Sequence, residues 1–174
     1  MSSPASEAQT GVRGTMKKLL TIQEAIKKSN ELKRRDKKII LAGGVFDILH
    51  IGHIRFLSEA KKNGDTLFVI LESDEAVRKY KGEKRPINTE NDRAEILSSL
   101  EMVDYVIILP GLFKDSDYDD LISNIKPDIL ATTAGDLKIE HKKRQAEKIG
   151  ARVIEVIGRV KDKSTSNIVE LLEI

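Results

Sequence analysis

Two of the chain's three histidines stand three residues apart, in His50-Ile51-Gly52-His53. An imidazole can donate a hydrogen bond to a phosphate oxygen, and a protonated ring also neutralises its charge. The pair sits where an apolar run, residues 38–42, gives way to Ile54, Leu57 and Ala60 at helical spacing. It therefore occupies a strand-to-helix turn. Unpaired N–H groups and the helix dipole make a helix start attractive to anions. Gly52 would let a phosphate come close to the backbone there. A lone histidine would read more simply as a surface or core residue; a pair at this spacing and place points to a phosphate site.

A second group of the same kind lies near the end. Arg159 and the hydroxyls of Ser164, Thr165 and Ser166 precede the last expected helix. Hydroxyls at a helix start cap its N–H groups and can also hold phosphate oxygens. Ser164 on its own would be a plain cap. Between the two groups runs a charged loop, residues 80–88, with Lys81, Lys84 and Arg85. Cations in such a loop can stabilise charge developing on a transferred phosphoryl group. Ser73-Asp74-Glu75 follows a strand, and a capped helix with acids in its first turn explains it as well as a substrate contact does. His141 lies on a basic helix and is expected to face solvent with Lys142, Lys143 and Arg144.

These residues are strung along an alternation of strands and helices. Thr21 with Glu24 makes a capping box for a helix over 21–35. Strands are expected at 38–42, 66–71, 103–109, 128–131 and 152–157, and helices from about 54 to 62 and at 74–80, 89–100, 118–125, 139–149 and 164–172. Short links between alternating elements imply a parallel sheet covered on both faces. The expectation is one α/β domain, a Rossmann-like, open, doubly wound sheet of five strands. In such sheets ligands bind beyond the carboxyl ends of the strands. The loops after Ala42, Leu71, Ala131 and Ile157 are the places to look.

Composition narrows the classes. The chain has 174 residues and no Cys, so disulfides and Cys-ligated metals are excluded. Thirty basic residues against 28 acidic ones leave a net charge of +2, with no broad nucleic-acid or membrane footprint. No run approaches the ~20 apolar residues of a membrane span, and no secretory signal is evident. A cytoplasmic protein is expected. Residues 1–15 read as a disordered tail, Met16 as a candidate natural start, 16–37 as a helical N-terminal segment and 38–174 as the domain proper.

The run Gly44-Val45-Phe46-Asp47-Ile48-Leu49-His50-Ile51-Gly52-His53 resembles the signature of the cytidylyltransferase-like nucleotidyltransferases. These include glycerol-3-phosphate cytidylyltransferases and heptose-phosphate adenylyltransferases, and the likeness extends over residues 21–173. It implies transfer of a nucleoside monophosphate from an NTP to a phosphorylated small molecule, with release of pyrophosphate. By the same resemblance His50 and His53 stabilise the transition state, and Gly44, Phe46, Asp47 and Gly52 shape the phosphate loop. Lys81 belongs to the loop that closes over the phosphates and is the third catalytic candidate. Arg93, Gly135, Asp136, Arg159, Ser164, Thr165 and Ser166 would contact the nucleotide, and Asp74 the acceptor. Arg93 reads equally well as one half of a surface ion pair.

The resemblance also implies Mg²⁺, carried mainly by the NTP phosphates, and the frequent homodimers of the family, although no interface is legible here. Residues 81–95 are most like the heptose enzymes, which favours ATP and a sugar 1-phosphate. Thr133 and Ala134 depart from those enzymes and Leu137 from the glycerol-phosphate enzyme, so CTP with a phospho-alcohol stays open. Ser166 stands where Thr is usual, and Lys-Asp-Lys replaces the usual loop before the hydroxyls. A non-catalytic nucleotide-binding module is the alternative from another class. A redox Rossmann enzyme is disfavoured by the missing Gly-x-Gly-x-x-Gly turn. Class I aminoacyl-tRNA synthetases share the four-letter motif but need a far longer chain.

Overall fold

The computed structural model describes residues 18–158. The chain order is β1 (Leu19–Leu20), α1 (Ile22–Arg34), β2 (Ile39–Gly44), α2 (Ile51–Lys61), β3 (Thr66–Leu71), α3 (Asp74–Lys81), α4 (Glu90–Ser98), β4 (Tyr105–Ile108), α5 (Asp115–Ile125), β5 (Ile129–Thr133), α6 (Ile139–Ile149) and β6 (Arg152–Ile157). The strands form one sheet in the order β1-β4-β3-β2-β5-β6, and every pairing is parallel. The expected fold class holds, with six strands in place of five. The added strand, β1, pairs Leu19 and Leu20 with Val106 and Ile107 of β4.

Alternation along the strands sends neighbouring residues to opposite faces. Ile40, Ala42, Leu67, Val69, Leu71 and Val106 pack with Phe56, Leu57, Ala94 and Leu97 of α2 and α4. Ile39, Leu41, Phe68, Ile70, Ile107 and Leu130 pack with Ala25, Leu121, Ile122 and Ala146 of α1, α5 and α6. Both faces are therefore covered, which is why these strands read as continuous apolar runs. The N-terminal helix α1 begins at the expected capping box: Thr21 Oγ1 accepts the Glu24 N–H at 3.2 Å, and Glu24 accepts the Thr21 N–H at 2.8 Å. It joins the same core.

Carboxylates close the amino edge of the sheet. Asp65 accepts the Lys38 N–H at 2.8 Å, Asp128 the Ile39 N–H at 2.8 Å, and Asp104 the Leu67 N–H at 2.7 Å. The carboxyl edge is left to longer loops. The chain leaves β2 for β3 on one side, while β5 lies on the other. This reversal opens a crevice at the carboxyl ends of β2 and β5, the usual ligand position in such sheets.

Candidate active site

The loop that leaves β2 is strained. Phe46 has φ 47°, a left-handed conformation rare for a bulky residue. Its ring lies over Gly44, where an added Cβ would come within 3.0 Å of it. A side chain at this position would press the Phe46 ring aside by a few tenths of an ångström. The same ring meets His53, with centroids 5.2 Å apart. His50 caps α2, its Nδ1 accepting the Gly52 N–H at 3.1 Å. A neutral His50 therefore carries its proton on Nε2. The two imidazoles stack at 3.9 Å and 25°, and His53 Nδ1 is buried without a hydrogen-bond partner.

Burial lowers the His50 pKa below 6.5. Burial, and then the neighbouring His50, push that of His53 down to about 4. Both rings are neutral near pH 7. Of the two roles open to them, hydrogen-bond donation is the one this geometry offers, rather than positive charge. The N–H groups of Gly52, His53 and Ile54 are already taken by His50.

Asp47, Arg93 and Asp74, all expected to serve a ligand, are held by protein partners. Asp47 is 1% exposed; its carboxylate accepts the Arg85 guanidinium at 2.5 Å and the N–H groups of Ile87 and Asn88 at 2.8 and 3.0 Å. Asn88 in turn donates to the Asp47 carbonyl at 2.7 Å. Arg93, expected at the nucleotide or in a surface pair, is 0% exposed. It donates to the Val45 carbonyl at 2.6 Å, to the Asn88 carbonyl at 3.1 Å and to Asp74 at 2.7 Å. Asp74, expected at the acceptor, is the partner of that buried guanidinium. Together these residues bolt the histidine turn to the segment 82–89.

A pocket of about 340 Å³ opens at the crevice. Of the candidate site residues, Gly44, Lys81 and Asp136 line it. Lys81 is the exposed last residue of α3, and Gly82, at φ 96°, ends that helix. Gly135, at φ 74°, makes the turn after β5 that brings Asp136 back toward Thr132. Burial alone would raise the Asp136 pKa, but hydrogen bonds from Lys142, Thr132 and the Lys138 N–H outweigh it and bring it to about 2. His141 and Lys142, expected in solvent, also line the pocket. The correction has a simple cause: α6 packs on the sheet through the face that carries Gln145 and Ala146, and this turns His141 and Lys142 inward.

Glu72 and Tyr118 were not singled out in the sequence. They meet in the pocket, where the Tyr118 hydroxyl donates to Glu72 at 2.5 Å. The one available signal was the position of Glu72 in the loop just after β3. Arg159, Ser164, Thr165 and Ser166 lie outside the described residues, as does the expected tail. Among the described residues no group of three or more His, Asp or Glu side chains could hold a metal. No described helix is long and apolar enough to cross a membrane.

Comparison with known proteins fits this architecture. A family model for cytidylyltransferase-like proteins matches residues 41–170. The bifunctional protein HldE of a Nitratiruptor species is 44% identical over 145 residues, 82% of this chain and 29% of its own length. HldE of Aliarcobacter butzleri is 41% identical over 153 residues, 88% of this chain and 30% of its own. The chain thus spans under a third of these relatives. The solved lipopolysaccharide core biosynthesis protein from Thermoplasma volcanium superposes with TM-score 0.56 at 33% identity, over 74% of this chain and 99% of that one. A pantoate–β-alanine ligase from Francisella tularensis shares the fold, with TM-score 0.62 at 17% identity over 90% of this chain and 78% of its own. From the signature turn at the carboxyl edge through to the family match over its sheet, this chain belongs to the cytidylyltransferase-like family of nucleotidyltransferases.

Proposed function

We propose that the chain transfers an adenylyl group from ATP, taken as its Mg²⁺ complex, to a sugar 1-phosphate such as heptose 1-phosphate. The observation that carries this reading is the stacked His50–His53 pair on a strained turn, beside a pocket at the carboxyl ends of β2 and β5. An oxygen of the acceptor phosphate attacks the α-phosphorus of ATP. The bond from that phosphorus to the bridging oxygen breaks, and pyrophosphate leaves. Positioning and charge stabilisation suffice, without a covalent enzyme intermediate.

In this scheme neutral His50 and His53 donate hydrogen bonds to oxygens that gain charge. Lys81 adds a cation from the pocket rim, and Asp136 orders the loop after β5. By resemblance, Arg159 and the hydroxyls of Ser164, Thr165 and Ser166 hold the outer phosphates. The divalent ion travels with the nucleotide, in keeping with small, hard ions that bind chiefly through phosphates. Support for the sugar acceptor comes from the heptose-like stretch 81–95 and from relatives named HldE and lipopolysaccharide core biosynthesis protein. The test is pyrophosphate release with ATP, CTP, GTP and UTP, each against heptose 1-phosphate, mannose 1-phosphate and glycerol 3-phosphate. Release with ATP and a sugar 1-phosphate is expected; release only with CTP and glycerol 3-phosphate would replace this reading.

A further inference from the structure

Neither histidine lines the pocket, although Gly44 and Val45 of the loop that carries them do. Phe46, which meets His53, belongs to the core under α2 and α4. The apolar wall of the pocket takes Leu41, Ile70, Ile122 and Leu130 from the core under α1, α5 and α6, and Ala42 and Ala131 from the core under α2 and α4. Gly44 borders both. A nucleotide held at the histidine turn and a molecule in the pocket would meet at Gly44. Resting on the proposed transfer reaction, we infer that the pocket takes the acceptor and that Tyr118 and Glu72 select it by reading the hydroxyl groups of a polyhydroxylated phosphate ester.

The chemistry of the far wall argues for this. The Tyr118 hydroxyl is committed as a donor to one Glu72 oxygen. What remains is an array of acceptors: the lone pairs of the tyrosine oxygen and the second carboxylate oxygen. Neighbouring sugar hydroxyls can donate to both. Burial, and then the Glu72 carboxylate, push the Tyr118 phenol well above its ordinary value, so it keeps its proton at any working pH. A carboxylate here repels a phosphate, so the phosphate of the ester goes to a cation of the pocket. Lys81 stands exposed on the pocket with no ion-pair partner among the described residues, Lys138 Nζ lies 5.9 Å from the Tyr118 ring centroid, and Lys142 is paired with Asp136 at 2.6 Å. A volume of about 340 Å³ falls at the small end of ligand sites, which run from ~300 to ~1,000 Å³. A sugar phosphate fills such a space better than a three-carbon ester does.

The experiment uses Tyr118→Phe and Glu72→Gln in the full chain, with circular dichroism to confirm folding. With ATP, the ratio of kcat/KM for mannose 1-phosphate to that for glycerol 3-phosphate should fall roughly 10- to 100-fold, mostly through KM for the sugar. KM for ATP should stay within about twofold. A rise in KM for ATP instead, or an unchanged acceptor ratio, would overturn the inference. Calorimetric binding of mannose 1-phosphate, with a non-hydrolysable ATP analogue present, separates this from the reaction itself. If wild type binds it and both variants bind at least about tenfold more weakly, the inference stands even where no pair releases pyrophosphate and the transferase reading fails. Equal binding by all three proteins, or none by wild type, would overturn it.

Discussion

Asp47 and Arg85 form an ion pair at 2.5 Å that is almost fully enclosed, with residue exposures of 1% and 8%. It joins the turn that carries the histidines to the segment that follows Lys81. Removing one partner of a buried pair leaves an uncompensated charge and typically costs ~3–5 kcal/mol. Asp47→Ala and Arg85→Ala should each lower stability by about that much in urea titrations. The double variant should lose clearly less than the sum. Additive losses would mean that the pair is not the coupling element.

Arg93 makes three hydrogen bonds to protein groups and none of its surface reaches solvent. Lysine keeps the charge but not the planar fork. Arg93→Lys should therefore destabilise the fold by roughly 2–4 kcal/mol, measured by denaturant unfolding. A variant of wild-type stability with a raised KM for ATP would show instead that Arg93 serves the nucleotide.

The contact between Gly44 and the Phe46 ring leaves a methyl group tight against that ring. Gly44→Ala must displace the ring that flanks His53. Overpacking of this sort costs about 1–3 kcal/mol. Turnover should fall at least tenfold, beyond what the modest stability loss explains, because the imidazole loses its support. Full activity in a folded Gly44→Ala protein would contradict the role given to Phe46.

His53 titrates near 4 in the folded chain against 6.5 in the unfolded one. As the pH falls, the unfolded state takes up the proton first. The stabilisation is complete above pH 6.5 and is lost as the pH falls from 6.5 toward 4. Thermal midpoints of wild type and His53→Asn should diverge least at the acid end of that window and most above it. Parallel curves would mean that His53 is not held neutral.

Much of this fold was legible because it follows from local rules. The bounds of α6 and β6 agree with expectation, since Gly150 stops the helix and the β-branched pairs Val153-Ile154 and Val156-Ile157 mark the strand. β1 escaped because two residues show no period and its pairing with β4 is wholly non-local. α5 begins at Asp115, three residues before the expected Tyr118. Its first turn, Asp115-Ser116-Asp117, is polar, so apolar periodicity starts late, although the Asp117 carboxylate already accepts the Lys114 N–H at 2.8 Å. In the site, the histidine pair announced itself by type and spacing. Arg85 and Arg93 were open to reading as surface charges and Asp47 as a turn residue, because nothing local reveals that distant segments enclose them. Glu72 and Tyr118 lie 46 positions apart and become neighbours only through the parallel sheet.

The most direct test of the whole account is pyrophosphate release from ATP and a sugar 1-phosphate by wild type and by His53→Ala. Loss of one preorganised donor to a charged transition state typically costs ~10²- to 10³-fold in kcat. A fall of about that size is expected, with KM for ATP changed by less than about threefold. Equal turnover in the two proteins would contradict it.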